Sequence, residues 1–170
     1  MKNKIYKIYL FFLRKVIFLF DGVNNKLFTS LYYRFLKKRG IKFSGRPNYI
    51  SSSAYIDGQG MNIISIGKDV VISRDAMLLT HDFSVETAFH AVGKGSEDRH
   101  IHINEAICIG DNSFIGARAS LLPGTIVGKN CIIGACAVVK GRIPDGSIVV
   151  GNPGKIISNI EEYANKFKEI

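Results

Sequence analysis

Residues 103–139 read INEAIC-IGDNSF-IGARAS-LLPGTI-VGKNCI-IGACAV-V, with an aliphatic residue at every sixth position. The same spacing occurs earlier in the chain, at Ile66, Ile72 and Leu78. A period of six matches neither the 3.6-residue period of a helix nor the two-residue alternation of a simple strand. It indicates a repeat architecture, in which stacked turns of chain bury one continuous core.

A second set of residues lies two positions before these aliphatic residues and is mostly small: Val70, Ala76, Ile107, Ser113, Ala119, Thr125, Cys131 and Ala137. Glycine follows the aliphatic residue at Gly67, Gly110, Gly116, Gly128 and Gly134. We expect both sets of side chains to point inward and each glycine to take a positive φ at a corner. The pattern predicts an all-β solenoid.

The length of 170 residues predicts one domain with short appendages. We place an N-terminal helical segment at 1–47, with helices over 4–20 and 26–39. The solenoid follows at 48–157, with a loop insertion at 80–101, and a C-terminal helix at 158–170.

The positive charge is concentrated at the N-terminus. Residues 1–46 hold twelve Lys and Arg against Asp21 alone, a net charge of +11, and the remaining residues have a net charge of −2. Three interpretations of residues 1–40 stay open: packing against the domain or a neighbouring subunit, peripheral contact with an anionic inner membrane, and a nucleic-acid arm. The last is disfavoured because no nucleic-acid-binding motif accompanies the charge, so no nucleic acid is expected as a partner.

Two further features favour the cytoplasm. Cys108, Cys131 and Cys136 form no CxxC pair and are interpreted as free thiols in a reducing compartment. The apolar run at 5–20 is interrupted by Lys7, Arg14 and Lys15, so it is too short and too charged for a spanning helix. No small-residue cleavage site follows it.

The six-residue spacing stops between Leu79 and Ile101. This interruption is polar and long, and loops of this length in compact domains are usually functional or disordered. It contains His81, His90 and His100. We therefore look for reactive groups there.

Several motifs resemble those of the hexapeptide-repeat acyltransferases, and among them the O-acetyltransferases acting on sugars and bacterial surface polysaccharides. The resemblance covers residues 48–157 and includes IGDNSFIGA at 109–117, Leu-Pro-Gly at 122–124 and GNPGKII at 151–157. Thr80-His81-Asp82 and the Gly151-Asn152-Pro153 ending make it specific. The resemblance implies a left-handed parallel β-helix, a homotrimer, and acetyl-CoA bound in a groove between adjacent subunits.

His81 is the candidate catalytic base. Acetyl transfer from a thioester to a hydroxyl requires a group that removes the hydroxyl proton, and the ordinary pKa of histidine suits this task. The resemblance assigns the same role to His81, and a solvated loop histidine is the alternative. Asp82 is a candidate orienting or acceptor-binding residue, Glu86 is a comparable one, and a solvent-exposed carboxylate is as good an interpretation of Asp82.

His100 belongs to the segment Asp98-Arg99-His100, which resembles a segment of the serine acetyltransferases whose histidine helps to hold the acceptor. An acceptor contact is therefore predicted for His100, with a capping or subunit-contact role as the alternative. His90 and His102 are interpreted as structural or solvated.

The resemblance places Ala117 and Ala135 where pantetheine lies along the solenoid edge, although simple repeat packing explains both alanines equally well. Lys140, Arg142 and Lys155 are candidates for binding the coenzyme's phosphates, with solvated surface roles as the alternative. This chain has Lys140-Gly141 where many members have Thr-Lys, which weakens the individual assignments.

No metal is expected. Gamma-class carbonic anhydrases share the solenoid and bind zinc through three histidines, but their HxxxxH spacing is absent here. The sequence therefore predicts an acetyl-CoA-dependent O-acetyltransferase that modifies a sugar or polysaccharide precursor by direct transfer. A serine-type O-acetyltransferase and a non-catalytic solenoid scaffold are the alternatives.

Overall fold

The computed structural model describes residues 2–57, 61–95 and 100–168, in which short parallel strands are flanked by helices. The helices are α1 (Lys2–Phe18), α2 (Asn25–Lys38), α3 (Ser84–Ala91) and α4 (Ile160–Asn165), with a 3-10 helix at Met61–Ile63. The strands are β1 (Lys42–Phe43), β2 (Tyr49–Ile50), β3 (Tyr55–Ile56), β4 (Ile64–Ile66), β5 (Val71–Ile72), β6 (Met77–Leu78), β7 (His81–Asp82), β8 (Ile103–Asn104), β9 (Ile107–Ile109), β10 (Phe114–Ile115), β11 (Ser120–Leu121), β12 (Ile126–Val127), β13 (Ile132–Ile133), β14 (Val138–Val139), β15 (Arg142–Ile143), β16 (Ser147–Val150) and β17 (Lys155–Asn159).

Most of these strands form three sheets, and consecutive strands pass from one sheet to the next. The first sheet has the order β1-β4-β9-β12-β15, the second β17-β16-β13-β10-β5-β2, and the third β14-β11-β6-β3. Every pair in them is parallel except β16 with β17. The chain therefore winds through three sides in stacked turns, and β17 with α4 follows the last turn.

Three corners join these sides. The first corner, between the first and second sheets, comprises residues 67–69, 110–112 and 128–130. The second corner, between the second and third sheets, comprises 73–75, 116–118 and 134–136. The third corner, between the third and first sheets, comprises residue 57, 79–80, 122–124 and 140–141.

The predicted inward positions form the core. All eight members of the second set are buried, at 0% or 1% exposure. The aliphatic positions are also buried, from Ile66 at 1% to Val139 at 2%. Ile103 is the exception and corrects the prediction: it is only half-buried and lies on β8, which pairs with β7 outside the three sheets. The solenoid resumes at Ile107, not at Ile103.

The predicted role of the repeat glycines is wrong. None of Gly67, Gly110, Gly116, Gly128 and Gly134 has a positive φ. That conformation occurs two residues later, at Asp69, Asn112, Arg118, Asn130 and Cys136, and also at Asp75. The glycines are needed because neighbouring turns of the chain approach closely. A Cβ on Gly110 would stand 2.5 Å from the backbone carbon of Gly128, a contact that real Cβ atoms essentially never make.

The N-terminal helices cover the start of the core. Phe28, Tyr32 and Leu36 of α2 are buried, and Phe28 lies 6.4 Å from Tyr49 of β2 between ring centroids. Asn24 caps α2 by accepting a hydrogen bond from Leu27 N at 3.0 Å. The predicted packing of this segment against the domain is thus confirmed for α2.

The predicted loop insertion contains a helix. β7 and β8 pair antiparallel and bring His81 opposite Asn104, and α3 lies between them. Sequence reasoning predicted a loop here because the segment is polar and contains two glycines. The antiparallel pairing of β7 with β8 holds both ends of the insertion beside the third corner.

Candidate active site

His81 lies directly after the third corner, where β7 leaves the solenoid. The preceding Leu79 is bonded into the third sheet, because its N–H donates to Leu121 O at 2.9 Å. The side chain of His81 is 25% exposed. The imidazole is therefore anchored at its base and open to solvent at one side.

Asp57 orients this histidine. Its carboxylate oxygen Oδ2 contacts His81 Nδ1, and the same oxygen accepts a hydrogen bond from Thr80 Oγ1 at 2.6 Å. The Asp57 side chain is 1% exposed. Asp57 belongs to the turn of the chain that precedes His81. Its N–H donates to Leu78 O at 3.2 Å, and this hydrogen bond joins the two turns beside the histidine.

This contact determines which nitrogen can act as a base. An ionised carboxylate only accepts hydrogen bonds, so with Asp57 ionised Nδ1 of His81 would carry the proton that faces it. Nε2 then has the lone pair. The arrangement can hold the imidazole in one orientation while Nε2 removes a proton from a bound hydroxyl group.

Sequence reasoning missed Asp57. The signal was the aliphatic Ile56 before it, since β3 pairs with β6 and sets Ile56 beside Leu78. That pairing joins residues 22 apart, whereas Ile115 pairs with Ile133 at a separation of 18. The early turn is longer than the regular repeat, so the register that brings Asp57 to His81 cannot be read from the period.

Asp82 and Glu86, the predicted orienting candidates, have other partners. Asp82 Oδ1 accepts a hydrogen bond from Ser84 N at 2.8 Å. The hydrogen bonds from Ser84 lower the pKa of Asp82, and the charge of Lys140 lowers it further.

His100 pairs with α3. Its Nδ1 lies 2.9 Å from Glu86 Oε1, and its side chain is 82% exposed. Asp98 and Arg99, which gave the segment its resemblance, lie outside the described residues. The structure links His100 to the helix of the insertion, and an acceptor contact stays a prediction.

Aromatic rings lie beside the candidate base. The rings of His81 and Phe83 have centroids 5.3 Å apart, and Phe83 and His102 are 4.9 Å apart. Phe83 is 42% exposed and His102 is exposed. Sequence reasoning interpreted His102 as structural or solvated; it is exposed, and its ring lies beside Phe83 because Asp82 pairs with Ile103.

The predicted coenzyme residues occupy other places. Ala117 and Ala135 are exposed and stack in successive turns of the second corner, where Cys136 N donates to Ala117 O at 2.9 Å. The cations are also exposed: Lys140 lies on the third corner, Arg142 on β15 and Lys155 on β17. Within one chain, the alanines are separated from His81 by the width of the third sheet.

Two other expectations concern metal and thiol groups. Among the side chains of the described ranges, no group of three or more His, Cys, Asp and Glu could hold a metal ion. Cys131 is buried, as predicted for a small core residue, and burial raises the pKa of its thiol.

Known proteins resemble this chain in sequence and in fold. The family described as bacterial transferase hexapeptide (six repeats) matches residues 109–141. Protein CapG of Staphylococcus aureus is 35% identical over 149 residues, covering 85% of this chain and 83% of CapG. A galactoside O-acetyltransferase of Lactococcus lactis is 25% identical over 120 residues, covering 71% of this chain and 56% of that protein.

A solved structure supports the fold. The hexapeptide-repeat-containing acetyltransferase of Vibrio cholerae in complex with acetyl coenzyme A superposes with a TM-score of 0.62 at 17% identity. The match covers 89% of this chain and 87% of that one. Several curated relatives are longer, and the chain spans between 34% and 61% of five of them. The extent of the CapG match, together with the hexapeptide repeats, shows that the chain belongs to the hexapeptide-repeat acyltransferase family.

Proposed function

We propose that this protein is an acetyl-CoA-dependent O-acetyltransferase that modifies a hydroxyl of a sugar or bacterial surface polysaccharide precursor. The observation that carries the proposal is the buried Asp57 carboxylate on His81 Nδ1, which prepares Nε2 as a base. Relatives named as sugar O-acetyltransferases support the substrate class. The cytoplasm stays the predicted compartment.

The proposed step balances without any further reagent. His81 Nε2 takes the proton of the acceptor hydroxyl, whose oxygen forms a bond to the thioester carbonyl carbon. The carbon–sulfur bond then breaks, and the thiolate of coenzyme A leaves with the electron pair and takes up the proton. The Asp57 carboxylate stabilises the imidazolium that forms in between.

The acceptor would enter beside the insertion. Phe83 next to His81, and His102 next to Phe83, are exposed rings against which the apolar face of a sugar ring can pack. Asp82 and His100 are the predicted hydrogen-bonding residues for the acceptor. Both lie on the same insertion, which supports a common role without fixing their contacts.

We infer that a complete site needs two subunits. Ala117 lies five residues before Leu122 along the third side, a span of at most about 16 Å at about 3.3 Å per residue of extended chain. A coenzyme lying on the second corner of one chain would be far from His81 of that chain. The proposed left-handed homotrimer would set Ala117 and Ala135 of one subunit beside His81 of the next, with Lys140, Arg142 and Lys155 as candidate phosphate ligands.

The rate of coenzyme A release tests the role of His81 as the base. Purified protein is mixed with acetyl-CoA and sugar acceptors, and release of the free thiol is followed in the wild type, His81→Ala and His90→Ala. We expect loss of about 10²- to 10⁴-fold in kcat for His81→Ala and little change for His90→Ala. Equal turnover in all three would refute the assignment.

Mixed oligomers test the shared site. His81→Ala subunits and Ala135→Trp subunits should each be inactive alone. After co-expression, a groove formed by the intact His81 of one chain and the intact Ala135 of the other should restore part of the activity. Hybrids without activity would show that both residues act in one subunit or that Ala135 is remote.

Other outcomes would favour the alternatives. Robust acetylation of free serine would move the assignment to a serine-type enzyme. Failure to bind coenzyme A in calorimetry would favour a scaffold without catalysis.

A further inference from the structure

Helix α1 presents apolar side chains on two opposite sides. One side packs on the domain: Leu10 and Ile17 are 3% and 4% exposed and belong to the hydrophobic core, with Leu13 packed beside them. Positions seven residues apart lie on the same side of a helix. The packing of this side on the domain accounts for Leu10, Leu13 and Ile17. It does not account for the apolar residues on the other side of α1.

The outer side is apolar along its whole length. We name these residues the outer stripe; they are Ile5, Ile8, Phe12, Val16 and Leu19, each between 53% and 74% exposed. Their spacings of three, four, four and three residues place them on one line, and Leu19 directly follows the last helical residue. A continuous exposed apolar surface of this kind indicates a binding surface.

Cationic groups border this helix pair. The Arg14 guanidinium lies 4.8 Å from the Phe18 ring, Lys15 Nζ lies 5.7 Å from the Phe11 ring, and Lys38 Nζ lies 5.0 Å from the Tyr9 ring. The ion pairs among the described side chains all belong to residues 57–129, so none involves α1 or α2. Lys15 and Lys38 are exposed and can meet an external anionic partner, whereas Arg14 lies on the side of α1 that packs on the domain.

The positive charge of the N-terminal segment favours a lipid surface over a second copy of the chain as the partner of the outer stripe. A second copy docked through the outer stripes would bring together two segments of net charge +11, which repel each other. A surface of anionic lipids supplies both negative headgroups and an apolar layer beneath them. Within residues 2–57, 61–95 and 100–168, no helix is long and apolar enough to cross a membrane. A helix of this kind can still lie in the plane of the surface.

We propose that α1 binds the surface of an anionic lipid membrane, with the outer stripe among the acyl chains and the exposed Lys15 and Lys38 at the phosphate headgroups. The buried side of the helix keeps the catalytic domain attached. This proposal does not depend on the acetyltransferase activity, and its tests use no turnover.

Vesicle sedimentation tests the surface. Full-length protein is mixed at low salt with vesicles of phosphatidylcholine, with or without phosphatidylglycerol, and the pelleted fraction is measured. We expect binding to the anionic vesicles and release at high salt. The double variant Ile8→Gln, Phe12→Gln should lower the partition coefficient by about tenfold or more. The control pair Val92→Gln, Ile157→Gln, at residues 67% and 61% exposed off the stripe, should bind as the wild type does.

Fluorescence gives a second measurement that does not depend on pelleting. The chain has no tryptophan, so Phe12→Trp introduces a single reporter into the outer stripe. Its emission should shift to shorter wavelength with anionic vesicles, whereas Val92→Trp should not shift. The proposal would be overturned if the wild type did not bind anionic vesicles. It would also be overturned, in favour of a protein contact, if the polar variant of the outer stripe kept its vesicle binding and instead dissociated an oligomer in analytical ultracentrifugation.

Discussion

The Nδ1 atom of His81 faces the carboxylate of Asp57, which belongs to the preceding turn of the chain and is 1% exposed. The two residues are 24 positions apart in sequence and meet only because β3 and β6 are neighbours in the third sheet. The same carboxylate oxygen binds Thr80 Oγ1. The histidine is therefore held by a group that solvent scarcely reaches.

Replacement of this carboxylate tests its positioning role. Asp57→Asn keeps the shape of the side chain but removes the acceptor charge. We expect kcat to fall by about 10- to 100-fold, part of what a general base contributes, while KM for acetyl-CoA changes little. Steady-state kinetics and thermal unfolding of the same samples check this.

Thr80→Val is the matched control for that variant. It removes a hydrogen bond to the same oxygen, but leaves the Asp57–His81 contact in place. Its kcat should therefore fall less than that of Asp57→Asn. Equal losses in both variants would indicate that Asp57 supports the fold of the corner and not the histidine.

The repeat glycines make a prediction about stability. A Cβ on Gly110 would meet the backbone of Gly128 at 2.5 Å, whereas a Cβ on Gly134 would first meet the methyl group Cγ1 of Val150 at 2.8 Å. A side chain can move aside more easily than a stacked backbone. Gly110→Ala should lower the free energy of unfolding by about 2–3 kcal/mol, and Gly134→Ala should lower it by less, as measured by urea denaturation.

A stabilising substitution is expected at the second corner. Cys136 has φ +59 and is exposed, in a conformation that costs a residue with a Cβ about 1–2 kcal/mol. Asn112 and Asn130 fill the equivalent positions of the first corner. Because asparagine tolerates this region, Cys136→Asn should raise the melting temperature by about 2–4 °C, and Cys136→Ala should bring no comparable gain. A lower melting temperature for the asparagine variant would contradict this account.

Asp111 gives the fold a dependence on pH. Its Oδ1 accepts hydrogen bonds from Lys68 N at 2.8 Å and Ser44 Oγ at 2.9 Å, and these donors lower the pKa of the carboxyl group. A lowered pKa means that the ionised group stabilises the folded state above the ordinary aspartate pKa of about 4. This stabilisation is lost as the pH falls through the lowered value.

Asp111→Asn should therefore be less stable than the wild type near neutral pH, and the difference should close in acid. Urea midpoints measured across the pH range check this, and Ser44→Ala, which removes one donor, should show a smaller difference with the same trend. A difference that persists at the acid end would assign the effect to packing.

The sequence alone was sufficient for the repeat, the inward residues and the N-terminal charge. Each of these depends on local spacing or residue type, and the buried positions from Ile107 to Val139 follow the predicted pattern. The choice of His81 as the base also depends on the family resemblance and stays a prediction. A C-terminal helix was predicted at 158–170, and α4 occupies Ile160–Asn165 of that range with Asn159 as its cap, while residues 158 and 159 belong to β17.

Tertiary structure decided the rest. The sequence pattern predicted a positive φ at the glycines. Glycine is required there because the backbone of the next turn lies too close for a Cβ, and a local pattern does not show that approach. The sequence also placed Ile103 in the core, but pairing with β7 holds that residue outside. It offered Asp82 and Glu86 as orienting candidates for His81 and missed Asp57, because the turn that carries Asp57 is four residues longer than the regular repeat. Residue types and periods are local properties, while the contacts that complete the site depend on the register between turns, and that register is fixed only when the sheets pack.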